Sequence, residues 1–225
     1  MRGQLAALPG VESVERIAGG NRYETADAVV ARTLGELGAE WDGTALVSTG
    51  AAFPDALGAS PLAAGKGWPL YLVQPDAATH AARAAALKAD GVTDAVILGG
   101  TGVVPASFEA ALNNAIGASA VDRIAGSNRY ETAALVAEYG VSQSGLGWDG
   151  VAFATGENFP DALAGGVLQG RAGSVMLLTP SDTLAPSDRA ALIAHGNAIS
   201  EVRFFGGTAA VSTSVRLEVA NLLAQ

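Results

Sequence analysis

A chain of 225 residues, 49% hydrophobic and 16% charged, has apolar material for a packed core and too little charge for a disordered polymer. Its formal net charge of -9 argues against a nucleic-acid partner, which needs a basic face to release counterions, and against broad attraction to anionic membranes. The lack of cysteine excludes disulfides, thiolate catalysis and cysteine-based zinc sites, and no run reaches the length of a membrane span or reads as a signal peptide, so any secretion signal lies outside this chain.

In chain order, Gln4-Leu5-Ala6-Ala7-Leu8 stands before Arg16-Ile17-Ala18-Gly19 much as Ala110-Ala111-Leu112 stands before Arg123-Ile124-Ala125-Gly126. Residues 1–10 therefore read as the tail of a preceding copy of one repeat. An apolar run at Val14–Ala18 predicts the first strand. Asn21 then fits a helix N-cap, and Glu24 three positions later completes a capping-box-like pair. Tyr23, Ala26, Val30, Leu34 and Leu37 form one helical stripe. Trp41-Asp42-Gly43 predicts a turn in which the indole anchors helix to strand. Short continuous apolar runs at Ala45–Ser48, Leu70–Val73 and Ala95–Leu98 predict strands buried on both faces. After the first of these comes Thr49-Gly50 and then Phe53-Pro54-Asp55-Ala56-Leu57, with Pro54 suited to the first helical position and Asp55 to the first turn. Gly99-Gly100-Thr101 follows the last.

The series then begins again. Residues 16–26 read R-I-A-G-G-N-R-Y-E-T-A and residues 123–133 read R-I-A-G-S-N-R-Y-E-T-A, ten of eleven positions identical at an offset of 107. Trp148-Asp149-Gly150, Thr155-Gly156, Phe159-Pro160-Asp161-Ala162-Leu163 and Gly206-Gly207-Thr208 return in the same order. Strands are expected at Val121–Ala125, Val151–Ala154, Val175–Leu178 and Val202–Phe205. The chain divides into modules at 1–117 and 118–225. Alternating strands and helices make each an α/β unit, a small parallel sheet of Rossmann- or flavodoxin-like kind with right-handed crossovers.

The repeated blocks all fall at the carboxyl ends of parallel strands, where ligands gather in open α/β sheets. Arg22 and Arg129 are not needed for a capping turn. Their planar forks suit a carboxylate or phosphate, or an internal salt bridge to Asp55 and Asp161 or to Glu24 and Glu131. Arg16 and Arg123 add to the same edge. Asn21 and Asn128 read as caps or as polar edge groups. Tyr23 and Tyr130 start the helix core or offer a sugar-stacking platform. Asp55 and Asp161 either favour a helix start or, if the copies face each other, pair as acid and base of a carbohydrate hydrolase. His80 and His195 do not correspond between copies and read as surface residues. No Walker signature or G-x-S-x-G elbow occurs, and nothing calls for a cofactor or a metal.

The set R-I-A-G-x-N-R-Y-E-T-A, T-G-x-x-F-P-D-A-L and G-G-T resembles the cell wall binding repeat 2 family over essentially the whole chain. The resemblance implies a non-catalytic, extracellular module that fastens a Gram-positive surface protein to an anionic cell wall glycopolymer. It also implies further copies of the module as partners, usually three around a pseudo-threefold axis; this chain carries two. The positions it carries over are Arg16, Asn21, Arg22, Tyr23, Thr25, Phe53 and Asp55, with Arg123, Asn128, Arg129, Tyr130, Thr132, Phe159 and Asp161. A self-associating surface-layer scaffold is the alternative that the repeats themselves permit.

Overall fold

A computed structural model of the chain describes residues 2–224. After a short exposed helix α1 (Arg2–Ala6), the first regular element is α2 (Arg22–Leu37). The strand expected at Val14–Ala18 does not form. A parallel strand exists only through the ladder it shares with a neighbour, and the apolar run alone does not supply one.

The first sheet follows: β1 (Thr44–Thr49), α3 (Pro54–Gly58), α4 (Ser60–Lys66), β2 (Leu70–Val73), α5 (His80–Ala89), β3 (Asp94–Leu98) and α6 (Ala106–Ile116). The next strand, β4 (Val121–Ile124), lies beyond the expected 117/118 junction, yet it pairs in parallel with β3, Ile97 opposite Arg123. The sheet order is therefore β2-β1-β3-β4, all parallel, and its last strand comes from the second repeat. The rest of the second repeat is α7 (Arg129–Ser144), β5 (Gly147–Thr155), α8 (Pro160–Arg171), β6 (Ser174–Thr179), α9 (Pro186–His195), β7 (Glu201–Phe204) and α10 (Thr213–Leu223). Its sheet has three parallel strands, β6-β5-β7. Thus β7, the counterpart of β3, ends its sheet where β3 is covered by β4.

Two sequence expectations are corrected here. β5 begins at Gly147, so Trp148 lies inside a strand, buried and stacked on His195 at 4.4 Å, rather than in a turn. Trp41 keeps the anchoring place, donating to Thr44 O at 2.8 Å. The histidines are not surface residues. His80 is buried because both ring nitrogens find partners, Ser107 Oγ and Gln74 O, each at 2.9 Å. His195 is part-buried against Glu138.

The two repeats share a core. Leu46, Leu62, Val96 and Leu98 of the first pack in one cluster with Val136, Leu146, Trp148 and Phe153 of the second. The helices approach closely because small residues line the contact. A Cβ on Gly170 of α8 would collide with Pro61 O of α4, and one on Gly58 of α3 would lie 3.0 Å from Ala133 Cβ of α7. The interface is heterologous: different surfaces of the two copies meet. Leu57 in α3 is 2% exposed beneath α7, whereas its counterpart Leu163 in α8 is 51% exposed. On the other side, Val136 of α7 is 2% exposed and its counterpart Val29 of α2 is 47% exposed. The chain makes the contact once and leaves each complementary half open at one end.

Candidate functional site at the seam between repeats

The repeated blocks turn out to be pieces of one local structure. Asn21 and Asn128 are the N-caps of α2 and α7, and each side chain accepts from the amides two and three residues on, those of Tyr23 and Glu24 and of Tyr130 and Glu131, at 2.9–3.0 Å. Glu24 reaches back to Gly20 N and Glu131 to Ser127 N, both at 2.7 Å, one residue before the cap. A side chain at Gly19 or Gly126 would strike Glu24 or Glu131, which explains the repeated A-G. Arg22 Nη1 donates to Gly50 O at 2.8 Å, and Arg129 Nη1 to Gly156 O at 2.7 Å. The same glycines lie beneath the Tyr23 and Tyr130 rings, which a Cβ would meet. The Arg-Tyr and Thr-Gly blocks are thus mutual partners: the arginine caps the turn carbonyl after β1 or β5, and the tyrosine covers the glycine. Neither arginine makes the salt bridge to Asp55, Asp161, Glu24 or Glu131 that spacing alone left open. The tyrosines are half-buried and lie on their own turns.

Phe-Pro-Asp and Gly-Gly-Thr form a second such pair. Pro54 and Pro160 begin α3 and α8, with Asp55 and Asp161 in the first turn. A Cβ on Gly99 would lie 2.5 Å from Asp55 Oδ2; Asp161 sits the same way against Gly206. Gly99 and Gly206 both have φ of 97°, so glycine is required there for backbone and space alike.

What the sequence did not reveal is that these pairs meet across the repeats. A cleft of about 240 Å³ opens at the seam, with Asp55, Pro54 and Gly100 on the first-repeat side and Ser127, Asn128, Arg129 and Thr132 on the second-repeat side. Asp55 is hydrogen-bonded to Thr132 and attracted by Arg129, and both effects favour its ionised form; burial is larger and raises its pKa. Arg129 uses one nitrogen on Gly156 O and is otherwise exposed. Arg123 is not part of this open edge. It pairs with Glu109 at 2.8 Å and donates to Gly99 O at 2.7 Å, fixing β4 to the first sheet. Its counterpart Arg16 is exposed. Asn21, Arg22 and Tyr23 occupy the outer end of the first repeat, and Asp161 the outer end of the second, so neither has the cross-repeat partner its counterpart has. Thr132, which bonds Asp55, is among the positions that the resemblance carries over, and Gly100 belongs to the repeated Gly-Gly-Thr block; Ser127, where the first copy has Gly20, carries no such signal.

Among the described residues, no helix is long and apolar enough to cross a membrane, and no group of three or more His, Asp or Glu could hold a metal. The family model for cell wall binding domain 2 (CWB2) matches residues 16–109 and again 123–216. The N-acetylmuramoyl-L-alanine amidase LytC of Bacillus subtilis (strain 168) is 32% identical over 209 residues, 93% of this chain and 38% of that protein. The amidase enhancer of the same organism is 29% identical over 214 residues, 95% of this chain and 27% of that protein. The chain thus spans well under half of either relative. Two solved structures share the fold at 21% identity: Cwp8 from Clostridium difficile, with a TM-score of 0.77 over 99% of this chain and 36% of that one, and Cwp6 from the same organism, with 0.75 over 95% and 34%. With two tandem copies of the domain along most of its length, the chain belongs to the cell wall binding domain 2 family.

Proposed function

We propose that the chain is a non-catalytic attachment module that holds a surface protein to an anionic glycopolymer of the Gram-positive cell wall, outside the cell, and that the seam between repeats is where the polymer is gripped. The observation that carries this reading is the composite cleft: an exposed guanidinium, Arg129, anchored at one nitrogen and set beside Ser127, Asn128 and the Asp55 turn of the other repeat. A fixed, half-used arginine fork suits a phosphate or carboxylate. Each charged contact contributes about 1.5–3 kcal/mol, and successive contacts along one polymer add avidity. Each carboxylate lies packed against its own Gly-Gly turn, which favours a positioning role over acid–base work.

The test is co-sedimentation with protein-free cell walls before and after removal of their anionic polymers. Binding that is lost with the polymer, and lost in Arg22→Ala/Arg129→Ala while a cooperative melting transition shows that the fold survives the loss of the two turn-capping bonds, supports the proposal. Equal binding to stripped walls would point to peptidoglycan itself, and no binding to either would end the attachment reading for this chain.

A further inference from the structure

We infer that the open β7 edge accepts a parallel strand carrying an acidic residue at the position of Arg123, that it turns away the chain's own V-E-R-I segment, residues 14–17, and that Arg216 makes the distinction. The inference concerns how copies join and does not depend on the wall polymer.

The two sheets differ at one decisive place. β3 is covered by β4, and Arg123 secures the join twice, by ion-pairing with Glu109 of α6 and by donating to Gly99 O. In the second repeat Gly99 corresponds to Gly206 and Glu109 to Arg216, both at the offset of 107. The acid that holds the incoming arginine is thus replaced by a base. Arg216 Nη2 moreover donates to Gly206 O at 2.9 Å, taking the carbonyl that Arg123 takes in the first sheet. It is pinned there by a second bond, Nε to Val211 O at 2.9 Å, and its guanidinium lies 5.1 Å from the centre of the Phe204 ring. Ile97 and Leu98, fully buried beside β4, correspond to the half-buried Phe204 and Phe205.

The rest of the surface invites addition. Val29 on α2 and Leu163 on α8 are exposed, whereas their counterparts Val136 and Leu57 are buried inside the chain. Residues 14–17 of a second chain, V-E-R-I against V-D-R-I of β4, match the strand that β3 accepts. Apolar complementarity therefore favours head-to-tail addition of copies, which a heterologous contact continues into a closed ring or an open filament according to its rotation. Charge opposes it. On the β3–β4 register Arg16 would arrive beside Arg216, with its carbonyl already occupied and no acid to meet it. Glu15 would come opposite Arg203, but Arg203 is already engaged by Glu201 and Gln169. A like-charge contact of this kind is how natural edges refuse the wrong partner.

The experiment is a charge-swap cycle read by sedimentation velocity across a concentration series. The native chain is expected to stay monomeric. Arg16→Glu, at an exposed position where folding is not at risk, gives Arg216 an acid and is expected to tighten self-association at least about tenfold. Arg216→Glu restores the Glu109 arrangement for Arg16 and should do the same. The double variant Arg16→Glu/Arg216→Glu places two acids together and should return to monomer. If Arg216→Glu fails to fold, Arg16→Glu alone decides. Equal association states for native chain and Arg16→Glu, whether monomeric or associated, would overturn the inference; so would association of the double variant.

Discussion

Leu57 and Leu163 are the same residue in the same F-P-D-A-L block, and only their surroundings differ, so truncating each measures what one repeat does for the other. Leu57 is 2% exposed beneath α7 and α8, and Leu163 is 51% exposed. Leu57→Ala removes a fully buried side chain and leaves a cavity between repeats, a loss of about 3 kcal/mol. Leu163→Ala removes a side chain that keeps half its surface in water, a loss of about 1 kcal/mol or less. The difference of about 2 kcal/mol corresponds to roughly 4–8 °C in melting midpoint for a chain of this size. Urea titrations of native protein and both variants, at a concentration where sedimentation shows monomer, read it as a shift of midpoint at constant slope. Near-equal midpoints for the two variants would refute the reasoning, because they would mean that the second repeat does not seal the first in solution.

Gly170→Ala drives a Cβ into Pro61 O across the α4–α8 crossing and should cost about 1–3 kcal/mol, whereas Gly35→Ala, with nothing within 4 Å in the last turn of α2, should gain about 0.5 kcal/mol; paired urea midpoints check the opposite signs. Asp188 is fully buried, and burial holds its carboxyl well above the usual range against a hydrogen bond from Ser187. A pKa raised by folding means stability that is present at low pH and lost as pH climbs from the ordinary carboxylate value through the raised one. Asp188→Asn removes that titration, so its urea midpoint relative to native protein should be higher at pH 7 than at pH 4, and an offset that does not change with pH would count against the assignment.

The parts of the fold that were legible are those decided by near neighbours. Asn21 and Asn128 cap helices through amides two and three residues on, and Pro54 and Pro160 start helices through their own fixed φ. The buried strands announce themselves as continuous apolar runs. What was not legible depends on partners far along the chain. Val14–Ala18 and Val121–Ala125 read alike, yet only the second finds the edge of β3 and becomes a strand. Arg123 and Arg16 are the same letter in the same block, one ion-paired and one exposed, because Glu109 stands beside only the first. His80 is buried by Ser107, 27 residues away, a pairing no periodicity encodes.

The site follows the same logic, and it leads to an asymmetry between two residues that the repeats make look equivalent. Arg22 and Arg129 each cap their own Thr-Gly turn, so that bond cannot distinguish them. Only Arg129 also faces an Asp55 and a Gly-Gly turn from another repeat, since two tandem copies make one seam. If the polymer is gripped at the seam, affinity counts seams, not motifs. Arg129→Ala should then weaken wall binding about tenfold or more, the loss of one charged contact, while Arg22→Ala weakens it little. Both lose the same structural bond, so their melting curves should shift alike and the stability effect cancels in the comparison. Equal loss of wall binding from the two variants would place the grip on the individual motif and remove the seam from the mechanism.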